Sequence, residues 1–218
     1  TMPPDPSKYI RPRLWSGPER APSRAAGIFL ISGYAFLQLQ RWRNNSPNEV
    51  AAYGLCHPHD PLFITDLILP WQYVSGAYCE PHEDHIAHLQ YTLSTEHNID
   101  PWRWSPHWFH THPHGMSPTP SGTDNSTFNS TRYSAADSSF MAILGTVSDE
   151  DTLSIRHRLH FRTSRFSPLI QSLTPRIDWT QFPSFPIDLS LFDAEQSLLC
   201  STTRLTSTHP SIVELAPT

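Results

Sequence analysis

The feature that most constrains the fold of this chain is a His-x-His-Pro sequence with a serine and an aspartate at fixed distances after it. The residues concerned are His110, His112, Pro113, Ser121 and Asp124. On a β-strand, side chains two residues apart point to the same face, so His110 and His112 can reach one metal ion. Zinc in catalytic sites takes three ligands from histidine and carboxylate side chains and keeps another position open. The fold must therefore bring Asp124 back beside the strand that carries the two histidines.

The sequence around the histidines indicates how the chain returns. Residues 108–112 predict a strand, which Pro113 ends. The loop over residues 114–120 contains a glycine and two prolines that turn the chain. A helix start follows, with Ser121 as its N-cap and Asp124 in its first turn. Although the chain has 13 histidines and 22 prolines, its composition produces the complete pattern with a chance on the order of 10⁻³ or less.

These residues resemble the motif of the JAMM zinc metalloproteases, also called MPN-plus domains. That family hydrolyses isopeptide or peptide bonds after ubiquitin and ubiquitin-like proteins. The resemblance covers well over half of the chain. It implies one catalytic zinc ion bound by His110, His112 and Asp124, and it implies that Ser121 donates a hydrogen bond to the oxyanion of the tetrahedral intermediate.

The same resemblance gives a role to Glu49, which precedes an apolar run that predicts a core strand. The family places its catalytic glutamate after a helix, in a Glu-apolar-x-Gly-Leu context. Glu49-Val50 with Gly54-Leu55 is similar, although the glycine comes one or two positions later. The resemblance therefore implies that Glu49 is the general base. Without it, a carboxylate at this position is a solvated strand end.

A second stretch, residues 62–80, resembles the AMSH subgroup of JAMM deubiquitinases. The order Ile-Thr-x-x-Ile-x-Pro-x-Gln runs from Ile64 to Gln72, and a Ser-Gly pair and Tyr78-Cys79 follow before an acidic segment.

The expected fold class is α/β, with the mixed β-sheet of JAMM/MPN domains, which is cytidine-deaminase-like and flanked by helices. We expect this domain over residues 25–165, between a proline-rich N-terminal arm at 1–24 and an irregular, proline-rich C-terminal extension at 166–218. The periodicity of apolar residues predicts strands at 27–31, 50–55, 62–69, 108–112, 140–145 and 155–162, and helices at 34–43 and 81–98. Residues 125–139 are polar and only weakly helical.

Composition sets limits on partners and location. The net charge of −5 gives no electrostatic basis for binding nucleic acid or an anionic membrane. Cys56, Cys79 and Cys200 are too few and scattered for a disulfide framework or a cysteine-based zinc site, and we expect reduced thiols. We also expect a soluble, cytoplasmic protein, since no apolar stretch reaches about 18 residues and no signal sequence is evident.

Three groups of residues leave alternatives open. Histidines recur every third residue on the second predicted helix and form either a second metal site or a solvated helix edge: His82, His85 and His88. Tryptophans before the histidine strand either pack beside it or hold an extended substrate tail: Trp102, Trp104 and Trp108. The basic face of the strand at 155–162 either meets a ubiquitin-like partner or is solvated.

The expected function is a zinc-dependent isopeptidase that removes ubiquitin or a ubiquitin-like protein from conjugates or precursors, with or without a partner subunit. The alternatives are a peptidase acting on phage-tail or cell-wall peptides and a non-catalytic binding scaffold. A serine hydrolase is disfavoured because the chain has no Gly-x-Ser-x-Gly sequence. A zinc deaminase is disfavoured because His-x-Glu and Pro-Cys-x-x-Cys are missing.

Overall fold

A computed structural model of the protein describes residues 26–130, 133, 135–159 and 169–179, and the backbone of two further strands at 203–205 and 213–215. The predicted arm at 1–24, Cys200 and most of the predicted extension at 166–218 lie outside the described residues.

The described chain consists mainly of strands. They are β1 (Ile28–Ser32), β2 (Val50–His57), β3 (Asp60–Ile68), β4 (Gln72–Ser75), β5 (Tyr78–Pro81), β6 (His107–Thr111), β7 (Ser138–Val147), β8 (Glu150–Leu159), β9 (Leu169–Asp178), β10 (Thr203–Leu205) and β11 (Val213–Leu215). The α-helices are α1 (Gly33–Asn45), α2 (Glu83–Glu96) and α3 (Gly122–Phe128). All eight strands and helices predicted from periodicity are confirmed, with ends that differ by a few residues. The β4–β5 hairpin and β9 were not predicted.

Seven strands form one closed barrel in the order β1-β3-β2-β6-β7-β8-β9. The barrel closes because β1 pairs in parallel with both β3 and β9, so that Leu30 lies opposite Phe63 on one side and Arg176 on the other. The predicted fold class, a mixed α/β sheet of the JAMM/MPN type flanked by helices, is therefore wrong. Hydrophobic periodicity identifies single strands, but it does not show which distant strands pair, and closure depends on that pairing.

Strand β9 lies in the segment that was expected to be irregular, and Pro175 is the reason that it was missed. A proline cannot donate to a strand ladder, so it argues against a central strand. In the barrel, the neighbouring Thr174 donates its N–H to Gly27 of the β1 side, at 2.9 Å. The nitrogen of Pro175 therefore faces β8, whose pairing with β9 ends at Leu173. The ladder between β8 and β9 thus ends before the proline, whereas the ladder between β9 and β1 continues past it.

The core lies on the inner face of the barrel, where alternate residues of the strands meet one face of α1. Helix α1 begins where the Ser32 hydroxyl accepts the Ala35 N–H at 3.1 Å, and it places Leu39 and Trp42 in this core. Burying each of these side chains contributes about 2–3 kcal/mol. On β2, Gly54 allows close packing, since a Cβ atom there would lie 2.4 Å from the Phe109 ring.

Two smaller apolar clusters lie on the opposite face of these strands. Helix α2 packs there with Tyr53 of β2 and with the fully buried Trp104. Helix α3 contributes Phe128 to a cluster with Trp108 and Met141 of β6 and β7. This cluster attaches the short helix α3 to the histidine strand.

The directions of the strands determine which strand ends meet at each end of the barrel. Strand β2 runs antiparallel to β6, with Val50 opposite Thr111, so the start of β2 meets the end of β6. The β4–β5 hairpin lies at this end because the Glu49 N–H donates to the Ser75 carbonyl at 2.9 Å. Strands β10 and β11 extend the hairpin into a four-stranded sheet in the order β10-β11-β4-β5. Within the described residues, none of the helices is long and apolar enough to cross a membrane.

Candidate metal centre

Three side chains of the predicted motif meet at the end of β6. His110 comes from β6, His112 follows it, and Asp124 comes from the first turn of α3. One nitrogen or oxygen atom from each lies within 4.8 Å of the others, and all three residues are buried. His110 Nε2 is 3.2 Å from one Asp124 oxygen, and His112 Nε2 is 3.7 Å from the other. The structure thus brings the three predicted ligands together.

The two imidazoles converge because the strand geometry continues beyond β6. The His112 N–H donates to the Leu144 carbonyl of β7 at 2.8 Å, so His112 stays in extended pairing despite Pro113. His110 is fully buried, and its ring stacks on Trp108 at 4.5 Å between centroids. Both rings therefore point to the face on which α3 packs.

Asp124 is fixed by the start of α3. The Ser121 hydroxyl accepts the Asp124 N–H at 3.1 Å, and Asp124 Oδ2 accepts the Ser121 N–H at 2.7 Å, which is a capping box. The predicted N-cap role of Ser121 is therefore confirmed. Burial acts to raise the pKa of Asp124, but interactions with His110, His112 and the Ser121 backbone outweigh it and hold this pKa well below its usual range. Asp124 is thus a carboxylate at neutral pH, as a metal ligand must be.

The environment of the buried His110 nitrogens indicates whether His110, His112 and Asp124 suit a metal ion. Among the described residues, neither ring nitrogen of His110 has a hydrogen-bond partner of good geometry, although Asp124 lies 3.2 Å from Nε2. Burial lowers the pKa of His110, and this effect exceeds the attraction of Asp124, so the neutral imidazole is favoured. A neutral, buried nitrogen that faces a carboxylate without a hydrogen bond is costly unless a cation lies between them. Two imidazoles and one carboxylate form a donor set suited to zinc.

His112 is oriented by a second contact. Its Nδ1 atom lies 2.5 Å from the Ser117 carbonyl oxygen. Because a carbonyl only accepts, Nδ1 carries a proton, and Nε2 is the nitrogen that faces Asp124 and Glu49. Burial acts to lower the pKa of His112, but the contacts with Asp124, the Ser117 carbonyl and Glu49 outweigh it and raise this pKa. Histidine ligands in metal sites are commonly oriented by such an acceptor on the other nitrogen.

Glu49 lies at the edge of this cluster. Its Oε1 atom is 4.0 Å from His112 Nε2, and the residue is only 8% exposed. Burial raises the pKa of Glu49 to about 7, with a further rise from Asp124 and opposing effects from His112 and from the Cys79 thiol. Cys79 Sγ donates to Glu49 Oε2 at 3.9 Å. A cation bound by His112 and Asp124 would favour the ionised form of Glu49.

The position of Glu49 depends on contacts that sequence analysis missed. The Val50 N–H donates to Thr111 Oγ1 at 3.1 Å, which joins the start of β2, next to Glu49, directly to the end of β6. Gln72 binds both backbone groups of Ala51, at 2.7 and 2.9 Å. Gln72 is the last residue of the Ile-Thr-x-x-Ile-x-Pro-x-Gln stretch. The sequence analysis singled out this stretch, but it did not predict that Gln72 binds the backbone of β2 next to Glu49.

Other predicted residues lie apart from the metal centre. Among the described residues, His82, His85 and His88 do not form a group of three ligands. Of the three tryptophans, Trp108 stacks on the candidate ligand His110, in line with the packing alternative, whereas Trp102 is 48% exposed and lies at the opposite end of β6. On the predicted basic face of β8, Arg156 is partly buried and donates to Asn125 Oδ1 at 2.6 Å, and Arg158 is buried and donates to the Phe128 carbonyl of α3 at 2.7 Å. The rest of that face, at residues 160–162, lies outside the described residues.

Comparisons with known proteins add no assignment. No protein-family model matches the chain, and no curated protein matches it. Inferences about its function therefore depend on the residues and geometry of the site.

Proposed function

We propose that the protein is a zinc-dependent isopeptidase or peptidase that removes ubiquitin or a ubiquitin-like protein from conjugates or precursors. In this proposal His110, His112 and Asp124 hold one zinc ion, Glu49 transfers the proton, and Ser121 stabilises the oxyanion. The substrate class comes from the resemblance of the motif to JAMM proteases. The chemistry is supported by the arrangement of the side chains.

The observation that carries the proposal is the position of Glu49 against the ligand group. Glu49 comes from the start of β2 and His112 from beyond the end of β6, yet their side chains approach to 4.0 Å. A purely structural metal site has four protein ligands and needs no buried carboxylate beside it. Three ligands with an additional acid at the edge are instead typical of a site that activates water.

A zinc ion held there supplies a Lewis acid that lowers the pKa of water to roughly 7 and polarises a carbonyl group. Glu49 accepts the proton of the attacking water on its carboxylate and delivers it to the leaving amine. The Cys79 thiol and the Ser75 carbonyl keep Glu49 in place during both transfers, since they bind its side chain and its backbone N–H.

Ser121 can donate a hydrogen bond to the oxyanion while it remains the N-cap of α3. Its hydroxyl oxygen accepts the Asp124 N–H, so its own proton remains available for donation. Ser121 is exposed, as contact with a substrate carbonyl requires. Removing a single oxyanion donor typically lowers the rate by about 10²–10³.

The test measures zinc and cleavage in the same preparations. We expect the wild-type protein and Glu49→Gln each to bind about one zinc per chain, since only His110, His112 and Asp124 are ligands. Only the wild type should cleave members of a panel of ubiquitin-like fusions and isopeptide conjugates. His110→Ala should lose both the zinc and the cleavage.

The outcomes separate the alternatives. Zinc binding with cleavage of other peptides but not of ubiquitin-like fusions would retain the chemistry and replace the substrate class. Zinc binding with no cleavage of any substrate would favour a non-catalytic scaffold. Absence of zinc from wild-type protein that refolds with excess metal would refute the metal site itself.

A further inference from the structure

A second concave site lies at the end of the barrel opposite the metal centre. It is a cavity of about 560 Å³, within the size range of ligand sites. It opens where three strands running in one direction begin, since Pro61 of β3, His107 of β6 and Ser138 of β7 all line it. None of the residues assigned to the metal centre takes part in it.

The walls of this cavity suit an extended, proline-rich peptide. Three prolines, two alanines and the half-exposed indole of Trp102 line it. Aromatic and proline side chains form the grooves that bind polyproline II segments, whose carbonyl groups point outward without internal hydrogen bonds.

His107 forms the buried base of the cavity. It is 1% exposed, and its ring stacks on Phe140 at 4.3 Å between centroids. Burial and a smaller contribution from His157 lower the pKa of His107 to about 3 against an opposing hydrogen bond with the Trp102 backbone, so the ring is neutral. The base of the cavity is therefore uncharged.

We propose that this cavity binds an extended proline-rich segment, and that its occupant is the N-terminal arm of the same chain, residues 1–24. The register of β1 and β3 places the start of the described chain next to the cavity. Leu30 lies opposite Phe63, and moving back two residues on both strands brings Ile28 beside Pro61 in the cavity wall. The described chain therefore begins within a few residues of a point about one strand spacing, roughly 5 Å, from the proposed site.

The composition of the arm agrees with this position. It contains six prolines: Pro3, Pro4, Pro6, Pro12, Pro18 and Pro22. It also has five basic and two acidic side chains, a net charge of 5 − 2 = +3, in a chain whose total is −5. Asp137 lines the cavity, and Asp100 accepts a hydrogen bond from the Trp102 indole at 3.3 Å. Two carboxylates therefore stand beside the site that the basic arm would occupy.

The test uses photocross-linking in the full chain. Ser105, which lines the cavity, is replaced by the photoreactive residue p-benzoylphenylalanine, and mass spectrometry locates the cross-linked residues. We expect cross-links within residues 1–24 of the same molecule. The same label at Tyr91, which is 65% exposed on α2, should give none to the arm.

A tethered arm could react through proximity alone, and two variants remove that ambiguity. Replacing all six prolines of the arm with alanine keeps the tether but removes the proline rings that would pack on the cavity wall, and Trp102→Ala removes the aromatic side chain that they would contact. Each should lower the cross-link yield by about fivefold or more. Equal yields in the variants, cross-links to a second copy of the chain, or no cross-link to residues 1–24 would each overturn the proposal.

Discussion

The Nδ1 atom of His112 lies 2.5 Å from the carbonyl oxygen of Ser117, in the loop that connects the ligand strand to α3. This loop is held against β7, because the Thr146 N–H donates to the Met116 carbonyl at 2.7 Å. Strand β7 therefore positions, through the loop, the carbonyl that faces His112 Nδ1. The geometry of the candidate metal centre thus depends on a strand that contributes none of its three side chains.

Gly145→Ala should weaken zinc binding although Gly145 touches no ligand. A Cβ atom at this position would lie 2.3 Å from the Pro118 nitrogen and 2.6 Å from the Met116 carbonyl oxygen, so the loop must move. Loss of the acceptor for His112 should raise the Kd for zinc about 10- to 100-fold. Competition with a chromogenic chelator measures this Kd. Gly76→Ala is the matched control, since a Cβ there meets nothing within 4 Å, and an unchanged Kd in Gly145→Ala would contradict the link.

The contact between Cys79 and Glu49 should appear in the reactivity of the thiol. Burial raises the pKa of Cys79, and the charge of Glu49 and its hydrogen bond raise it further. The thiolate is the reactive form, so Cys79 should be alkylated slowly at pH 8 despite its partial exposure. Glu49→Gln removes the charge, which lowers the pKa of Cys79 and should accelerate alkylation several-fold. Mass spectrometry of the Cys79 peptide gives the rate, and equal rates in both proteins would show that the contact does not form in solution.

Arg158→Met should loosen α3 and with it Asp124. The buried guanidinium of Arg158 donates to the Phe128 carbonyl and to the Asn129 side chain at the end of α3. Methionine keeps the apolar stem but leaves these acceptors without a donor, which should cost about 2–3 kcal/mol in free energy of unfolding. Urea denaturation measures the loss. Arg176→Met, an exposed arginine of β9, should change stability by less than about 0.5 kcal/mol.

The cluster of His110, His112 and Asp124 was predictable from sequence because local spacing determines most of its geometry. His110 and His112 share a strand face, and Ser121 and Asp124 form a capping box within one helical turn. Such relations need only the period of a strand or the first turn of a helix. The approach of Glu49 was predicted only through family resemblance, since it depends on the pairing of β2 with β6.

The closed barrel was not predictable in the same way. Its closure depends on the parallel pairing of β1 with β9, and Pro175 hides β9 from any analysis by strand propensity. The β4–β5 hairpin was missed for a different reason. Its strands have four residues each, and in β4 the buried positions are those of Gln72 and Val74, so the sequence shows no alternation of apolar and polar residues.

His85→Asn should reduce the fall in the free energy of unfolding that occurs as the pH decreases below 6.5. The Nδ1 atom of His85 accepts the Trp71 N–H at 2.7 Å, which requires a neutral ring. Burial, with smaller contributions from His88 and His82, lowers the pKa of His85 to about 4. Because this pKa lies below the unfolded value of about 6.5, the stabilisation is complete above pH 6.5 and is lost as the pH falls towards 4, by up to about 3 kcal/mol.

Asparagine offers an oxygen near the position of Nδ1 and does not titrate, so His85→Asn should lose less stability over the same interval. Urea unfolding at pH 7, 5.5 and 4.5, with a chelator present so that zinc release does not contribute, gives the comparison. His59→Asn, an exposed histidine, should follow the wild-type curve. If His85→Asn also follows the wild-type curve, protonation of His85 is not what destabilises the fold in acid, and His107, whose pKa burial lowers to about 3, becomes the next group to test.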